Sequence, residues 1–291
     1  MACKRFVSEE MKFKQINKFN FGVMQGRLVP PEIKNKIQSF PWKNWEKEFY
    51  LAKKLKLKLI EWTLDNKNFY KNPLLNTKYF EKIKKLSKKN NIRIESVTCD
   101  FFMEKPYFKQ NKKNQIEIKK KILFLINSCL VLNIKYIVLP LVDNTSLKTK
   151  KDENSIIDLI NIFLPLIKAI NVKILFESDY EPKNLLRFIK RFKLKNIGIN
   201  YDTGNSASKN YDFNKEKIYF KYVQNIHIKD RLRFGTTVPL GKGNQDFKKV
   251  FKFLKKEYKG NIILQTARSK NKHVDELRKN FSFIKEIVKN V

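Results

Sequence analysis

The chain has 291 residues, 42% of them hydrophobic, enough to bury the core of one large α/β domain or two ordinary ones. Its formal charge of +35 comes from 63 Lys and Arg against 28 Asp and Glu, mostly Lys spread over every helix-like segment. That spread argues against a dedicated nucleic-acid face, although it suits a phosphorylated substrate and predicts salt-sensitive sticking to polyanions.

The cysteines, Cys3, Cys99 and Cys129, have neither metal-ligand spacing nor an even disulfide framework. The longest run without a charge, Ile122 to Ile134, is too short for a membrane span, and the start lacks the apolar core of a signal peptide. The expectation is a cytoplasmic protein with reduced thiols, no membrane partner and no specific nucleic-acid partner.

Residues 1–17 form a polar lead, and from residue 18 to 291 strands and amphipathic helices alternate. Phe19 to Met24 is the first predicted strand. A loop through Pro30, Pro31 and Pro41 follows, then Trp45, Phe49, Ala52 and Leu55 at helical spacing. Leu57 to Trp62 is a second strand, with Tyr79, Ile83 and Leu86 on the next helix. Ile92 to Thr98 is a third, followed by a helix striped by Ile118, Ile122, Leu125, Ile126 and Cys129. Tyr136 to Leu141 is a fourth, followed by a helix carrying Ile156, Leu159, Ile160, Phe163 and Ile167, which Pro165 should kink or end.

Four further strands each finish in a polar side chain: Ile174 to Glu177, Ile199 to Asp202, Asn225 to His227 and Ile262 to Gln265. Helices are expected over Leu185 to Phe192, over Phe247 to Leu254 and from Val274 to Val288, with a weaker one between Tyr211 and Tyr222. Strand–helix pairs repeated eight times without a linker predict a single (β/α)8 barrel. An open doubly wound sheet is disfavoured because Gly22 and Gly26 do not form a dinucleotide-binding fingerprint.

Apolar strands that end in polar groups deliver those groups to one face of the barrel. Glu177, Asp202, His227 and Gln265 are therefore read as ligands of one divalent metal ion. Three oxygen donors and an imidazole favour Mn, Mg or Co, with Zn as an alternative. A buried Glu177 would otherwise need a salt bridge, and Asp202 taken alone could equally be a helix N-cap. His227 lies in line with the two carboxylates, whereas His273 is expected at the surface. Arg233, Arg27 and Arg268 are candidate substrate-binding forks, and Trp62 a candidate plane for a sugar ring. Arg231 reads as a solvated surface charge.

This pattern resembles the xylose-isomerase-like barrel superfamily of sugar phosphate isomerases and epimerases, over Phe19 to about Ile287. The resemblance implies metal ligands Glu, Asp, His and Glu on strands five to eight, of which Glu177, Asp202 and His227 match the first three. It also aligns Arg233 with an Arg that contacts substrate oxygens in ketose epimerases. The run Pro239 to Phe247 resembles their Gly-rich loop. Two positions depart from the pattern: Gln265 stands where the family has its second Glu, marking a subgroup, and Asn205 stands where a His is common.

The implied function is a metal-dependent isomerase or epimerase acting on a sugar or sugar phosphate through an enediolate, with Glu177 as catalytic base. Because a neutral amide cannot supply a second proton carrier, isomerisation is expected ahead of inversion at one carbon. A metal-dependent sugar dehydratase or lyase is the alternative on the same scaffold. A non-catalytic sugar-binding protein and an abasic-site endonuclease rank below, the latter because two histidines cannot build the three-metal cluster of the family's endonucleases.

Overall fold

The computed structural model describes residues 18–32, 38–269 and 271–291, so the polar lead and Cys3 lie outside the described residues. Eight parallel strands close into a barrel: β1 (Asn20–Met24), β2 (Leu59–Thr63), β3 (Ser96–Thr98), β4 (Tyr136–Leu141), β5 (Lys173–Ser178), β6 (Ile197–Asp202), β7 (Val223–Ile228) and, after a short hairpin, β10 (Asn261–Leu264). The hairpin pairs β8 (Asp230–Arg231) with β9 (Thr237–Val238). Closure comes from β10, which pairs β1 on one side and β7 on the other. The strands are joined on the outside by α1 (Trp45–Lys54), α2 (Phe80–Asn90), α3 (Lys112–Leu132), α4 (Lys150–Ala169), α5 (Pro182–Lys190), α6 (Thr203–Lys209), α7 (Phe247–Glu257) and α8 (His273–Lys289).

The period of two in each strand divides the core. One set of side chains, including Val23, Ile60, Trp62, Phe176 and Ile226, packs outward against the helices in a large apolar layer. Met24, Leu59 and Ile263 form a small separate cluster inside the barrel. Above them the interior turns polar, with Glu61, Ser96, Asn200, Asn225 and His227 all at most 1% exposed.

Several local expectations are revised. Pro165 does not end its helix: α4 runs on to Ala169, with Pro165 and the residue four positions before it, Asn161, both on the exposed face. The third strand is shorter than its apolar pattern, with Arg93 making only an isolated bridge to Leu59. Between Tyr211 and Tyr222 the chain forms a one-turn helix, Phe213–Glu216, followed by 3-10 turns from Lys217 to Tyr222.

The loop after β7 is more ordered than a Gly-rich run suggests. The buried Asp230 carboxylate accepts backbone N–H bonds from Gly241, Gly243 and Gln245 at 2.9, 2.9 and 3.1 Å. A side chain on Gly243 would collide with that carboxylate, its β-carbon running into Asp230 Oδ1.

Candidate metal and substrate site

Glu177, Asp202 and His227 stand at the C-terminal ends of β5, β6 and β7, the barrel end where loops can surround a ligand. All three are buried, and one donor atom from each lies within 4.8 Å of the others. His227 Nδ1 is 3.0 Å from Glu177 Oε2 and 3.9 Å from Asp202 Oδ2. Asp202 takes the cap role through Oδ1, which accepts the Asn205 N–H at the start of α6 at 2.9 Å, while Oδ2 pairs with Lys229 Nζ at 2.9 Å. Gln265 follows β10 by one residue, is 8% exposed, and its Oε1 has no hydrogen-bond partner.

The residues below this triad hold it in place. Asn205 donates to Glu177 Oε1 at 3.0 Å and Asn200 to Oε2 at 3.2 Å. Burial alone would raise the Glu177 carboxyl, but His227, Lys229 and Asn205 outweigh it and hold the group below its usual range. Asn205, a departure from the family pattern, thus has a visible job: it orients the carboxylate through its side chain and is capped by Asp202 through its backbone.

Glu61 is the residue that sequence reasoning passed over. It lies wholly buried in β2, and its Oε1 is 2.7 Å from His227 Nε2. Its Oε2 accepts from Ser96 Oγ at 2.7 Å and Asn225 Nδ2 at 2.8 Å. Burial lowers the imidazole's proton affinity, but Glu61 and Glu177 more than offset this and raise it to about 10. A carboxylate on Nε2 fixes the ring so that Nδ1 faces Glu177 and Asp202, the arrangement that orients a metal-binding imidazole. The signal was in the sequence: Glu61 is an ionisable residue inside an apolar strand, where an unpaired charge is prohibitively costly.

The expected substrate contacts are distributed differently. Trp62, offered as a sugar platform, is fully buried and faces away from the barrel interior. Its ring packs between Phe40 and Trp45, with centroids 5.5 Å from each, and its Nε1 donates to Asn72. The reason is parity: with Leu59 and Glu61 inward, residue 62 must face outward.

Arg233 is exposed on the hairpin tip, its guanidinium 5.2 Å from the Phe234 ring centroid. Arg231, read as surface, is half-buried, braced by the Gly235 carbonyl and 3.5 Å from Asn205 Oδ1. It lines a cleft of about 210 Å³ with Asp143, Asp179, Asn205 and Phe234. His273 opens α8 as expected but is buried rather than superficial. Arg27 is 4% exposed and donates from Nε to the Thr266 carbonyl at 2.9 Å, which places it beside Arg268 on the β1–β10 side of the mouth.

A family model described as xylose isomerase-like TIM barrel matches residues 49–287. The chain belongs to this family. Solved structures show the same fold at low identity. One is a D-psicose 3-epimerase with D-tagatose from Clostridium cellulolyticum H10, 12% identical, with a TM-score of 0.73 and 93% and 99% of the two chains covered. A 3-keto-D-glucoside 4-epimerase from E. coli is 14% identical with a TM-score of 0.69, over 92% of this chain and 99% of the other. The IOLI protein with a bound zinc atom is likewise 14% identical, with a TM-score of 0.69 and 91% and 98% covered. No curated protein matches the chain. No helix among the described residues is long and apolar enough to cross a membrane.

Proposed function

We propose that this xylose isomerase-like barrel is a divalent-metal-dependent isomerase acting on a sugar or sugar phosphate. The observation that carries the reading is the convergence of Glu177, Asp202 and His227 donor atoms within 4.8 Å at the barrel mouth. Gln265, with a buried oxygen lacking any partner, fits as the fourth donor. Two carboxylates, an amide oxygen and an imidazole suit a divalent ion, with Mn, Mg or Co ahead of Zn. Such an ion supplies Lewis-acid polarisation of adjacent carbonyl and hydroxyl oxygens.

The chain's own groups do the rest. Glu177, held ionised by Lys229 and Asn205, takes a carbon-bound proton and returns it to the neighbouring carbon, while the hydroxyl proton passes between the oxygens on those two carbons. Lys229 and Asn205 keep Asp202 and Glu177 in register, and Arg27 and Arg268 contact substrate oxygens from the β1–β10 side. With Gln265 in place of a carboxylate, one base must both remove and deliver the proton. That favours aldose–ketose isomerisation over inversion at a single carbon. The same observation supports a second reading, a sugar dehydratase or lyase, which also needs only one base.

The test is turnover of a sugar and sugar-phosphate panel in deuterated water. Isomerisation by one base shows partial label retention at the adjacent carbon and conserved product mass, whereas dehydration loses water. Glu177→Gln should lower turnover by roughly 10²–10⁴-fold. Clean inversion at one carbon with full deuterium incorporation would refute the one-base scheme.

A further inference from the structure

Arg268 carries a contradiction that a ligand would resolve. None of its three guanidinium nitrogens, Nε, Nη1 and Nη2, is open to solvent, and none has a hydrogen-bond partner among the described residues. Burying such donors without acceptors is costly, and a planar fork is suited to the paired oxygens of an oxyanion. The guanidinium rests against the turn after β1: a β-carbon on Gly26, whose φ is +86°, would meet Arg268 Nη2 at 2.7 Å. The chain has thus left out a side chain where the guanidinium lies.

Charge decides between a neutral and an anionic occupant. Arg27 lies beside Arg268, and burial together with the Arg268 charge depresses it to about 9. The nearby Glu48 carboxylate already accepts the N–H groups of Gly26 and Leu28 and is raised to about 7, mainly by burial. Asp100, 7% exposed, is pushed well above the carboxylate range, by burial first and by Asp65 and Glu177 next, so it provides little counter-charge. A buried guanidinium whose three nitrogens find no acceptor is matched by paired oxygens carrying negative charge more fully than by a sugar hydroxyl. Further buried atoms without partners, Gln25 Nε2 and Gln265 Oε1, lie on the segments that carry this niche and the metal ligands.

We propose that the niche between the Gly26 turn and residues 265–268 binds an anionic group, a carboxylate or phosphate borne by the substrate, with Arg268 as its principal partner. The substrate is then an acidic sugar rather than a neutral one. This deepens the sugar-isomerase reading and rests on it for the identity of the substrate, though not for the existence of the anion site.

The experiment is calorimetric titration of the full chain with inorganic phosphate, D-gluconate and the neutral polyol glucitol, in about 0.15 M salt to suppress binding to surface lysines. One saturable phosphate site is expected. Arg268→Gln should weaken it about tenfold or more, Arg268→Lys less, and Lys252→Gln on the exposed face of α7 not at all. Competition by gluconate would identify a carboxylate subsite, and phosphate binding alone a phosphate subsite. Thermal melts verify that the variants fold, and Arg268→Lys keeps the charge should Arg268→Gln melt early. Phosphate binding indifferent to Arg268, no saturable anion site, or glucitol binding equal to that of the anions would overturn the proposal. Metal content and turnover are read separately. Turnover of neutral sugars without an anion site overturns this inference alone, whereas an Arg268-dependent anion site in a protein without metal or turnover overturns the isomerase reading alone.

Discussion

Two arcs of the barrel mouth are built on opposite principles. On β5, β6 and β7, carboxylates and an imidazole compensate one another through short contacts: Glu177 with His227, Asp202 with Lys229, and Asn205 bracing both acids. On β1 and β10, cations and amides are buried with bonds left unmade: Arg268, Gln25 and Gln265 all keep polar atoms without partners. β2 joins the arcs, because its Glu61 crosses the interior to His227. The first arc is compensated by charge, even where Asp202 Oδ2, His227 Nδ1 and Asn225 Oδ1 lack a hydrogen bond, whereas the second leaves donors and acceptors with neither kind of partner among the atoms named. On the two proposals above, the first arc would take a cation and the second an anion.

The comparison can be broken first at Trp62, which belongs to the packing behind β2 and not to the mouth. Trp62→Ala should cost about 3–5 kcal/mol of stability, read by urea unfolding, because it empties the space between Phe40 and Trp45. A stable variant with a raised KM would return Trp62 to the substrate site. His227→Ala tests the charge-compensated arc directly: affinity for Mn²⁺ should drop by roughly 100-fold or more, measured by calorimetry.

Glu61→Gln sharpens the link between the arcs. It keeps the shape of the side chain but removes the charge facing His227 Nε2, so metal affinity should fall by about tenfold with the fold intact. An unchanged affinity would reduce Glu61 to a core polar group. The smallest effect is expected at Arg233. Exposed and lying over Phe234, it should tolerate Ala within about 2-fold in kcat/KM, as ordinary surface positions do. A large loss there would mean that the hairpin tip reaches the substrate.

The sequence is most legible where one strand end carries one functional group. The convergence of Glu177, Asp202 and His227 could be anticipated because each follows an apolar run, and the runs recur in order. Glu61 was hidden by the opposite circumstance: it sits inside a strand whose last residue, an aromatic, drew the functional reading, and only the inward parity of Leu59 and Glu61 sends Trp62 outward. The two hairpin arginines were hard to read for a different reason. Arg231 and Arg233 are two residues apart in a segment with no periodicity, and the β8–β9 hairpin, pinned by Asp230, decides which one turns inward.

By itself, then, the sequence determined the barrel, through strand–helix alternation, and the grouping of Glu177, Asp202 and His227 at its mouth, through the polar residues that close its strands. Both follow from local rules, periodicity and the cost of burying a charge, that act within a few residues. What only the tertiary structure decided were the partners across the interior: Glu61 against His227, Asn205 against Glu177, and Arg268 against the bare face of Gly26. These pairs are separated by 166, 28 and 242 positions, so barrel closure, not any local pattern, brings them together.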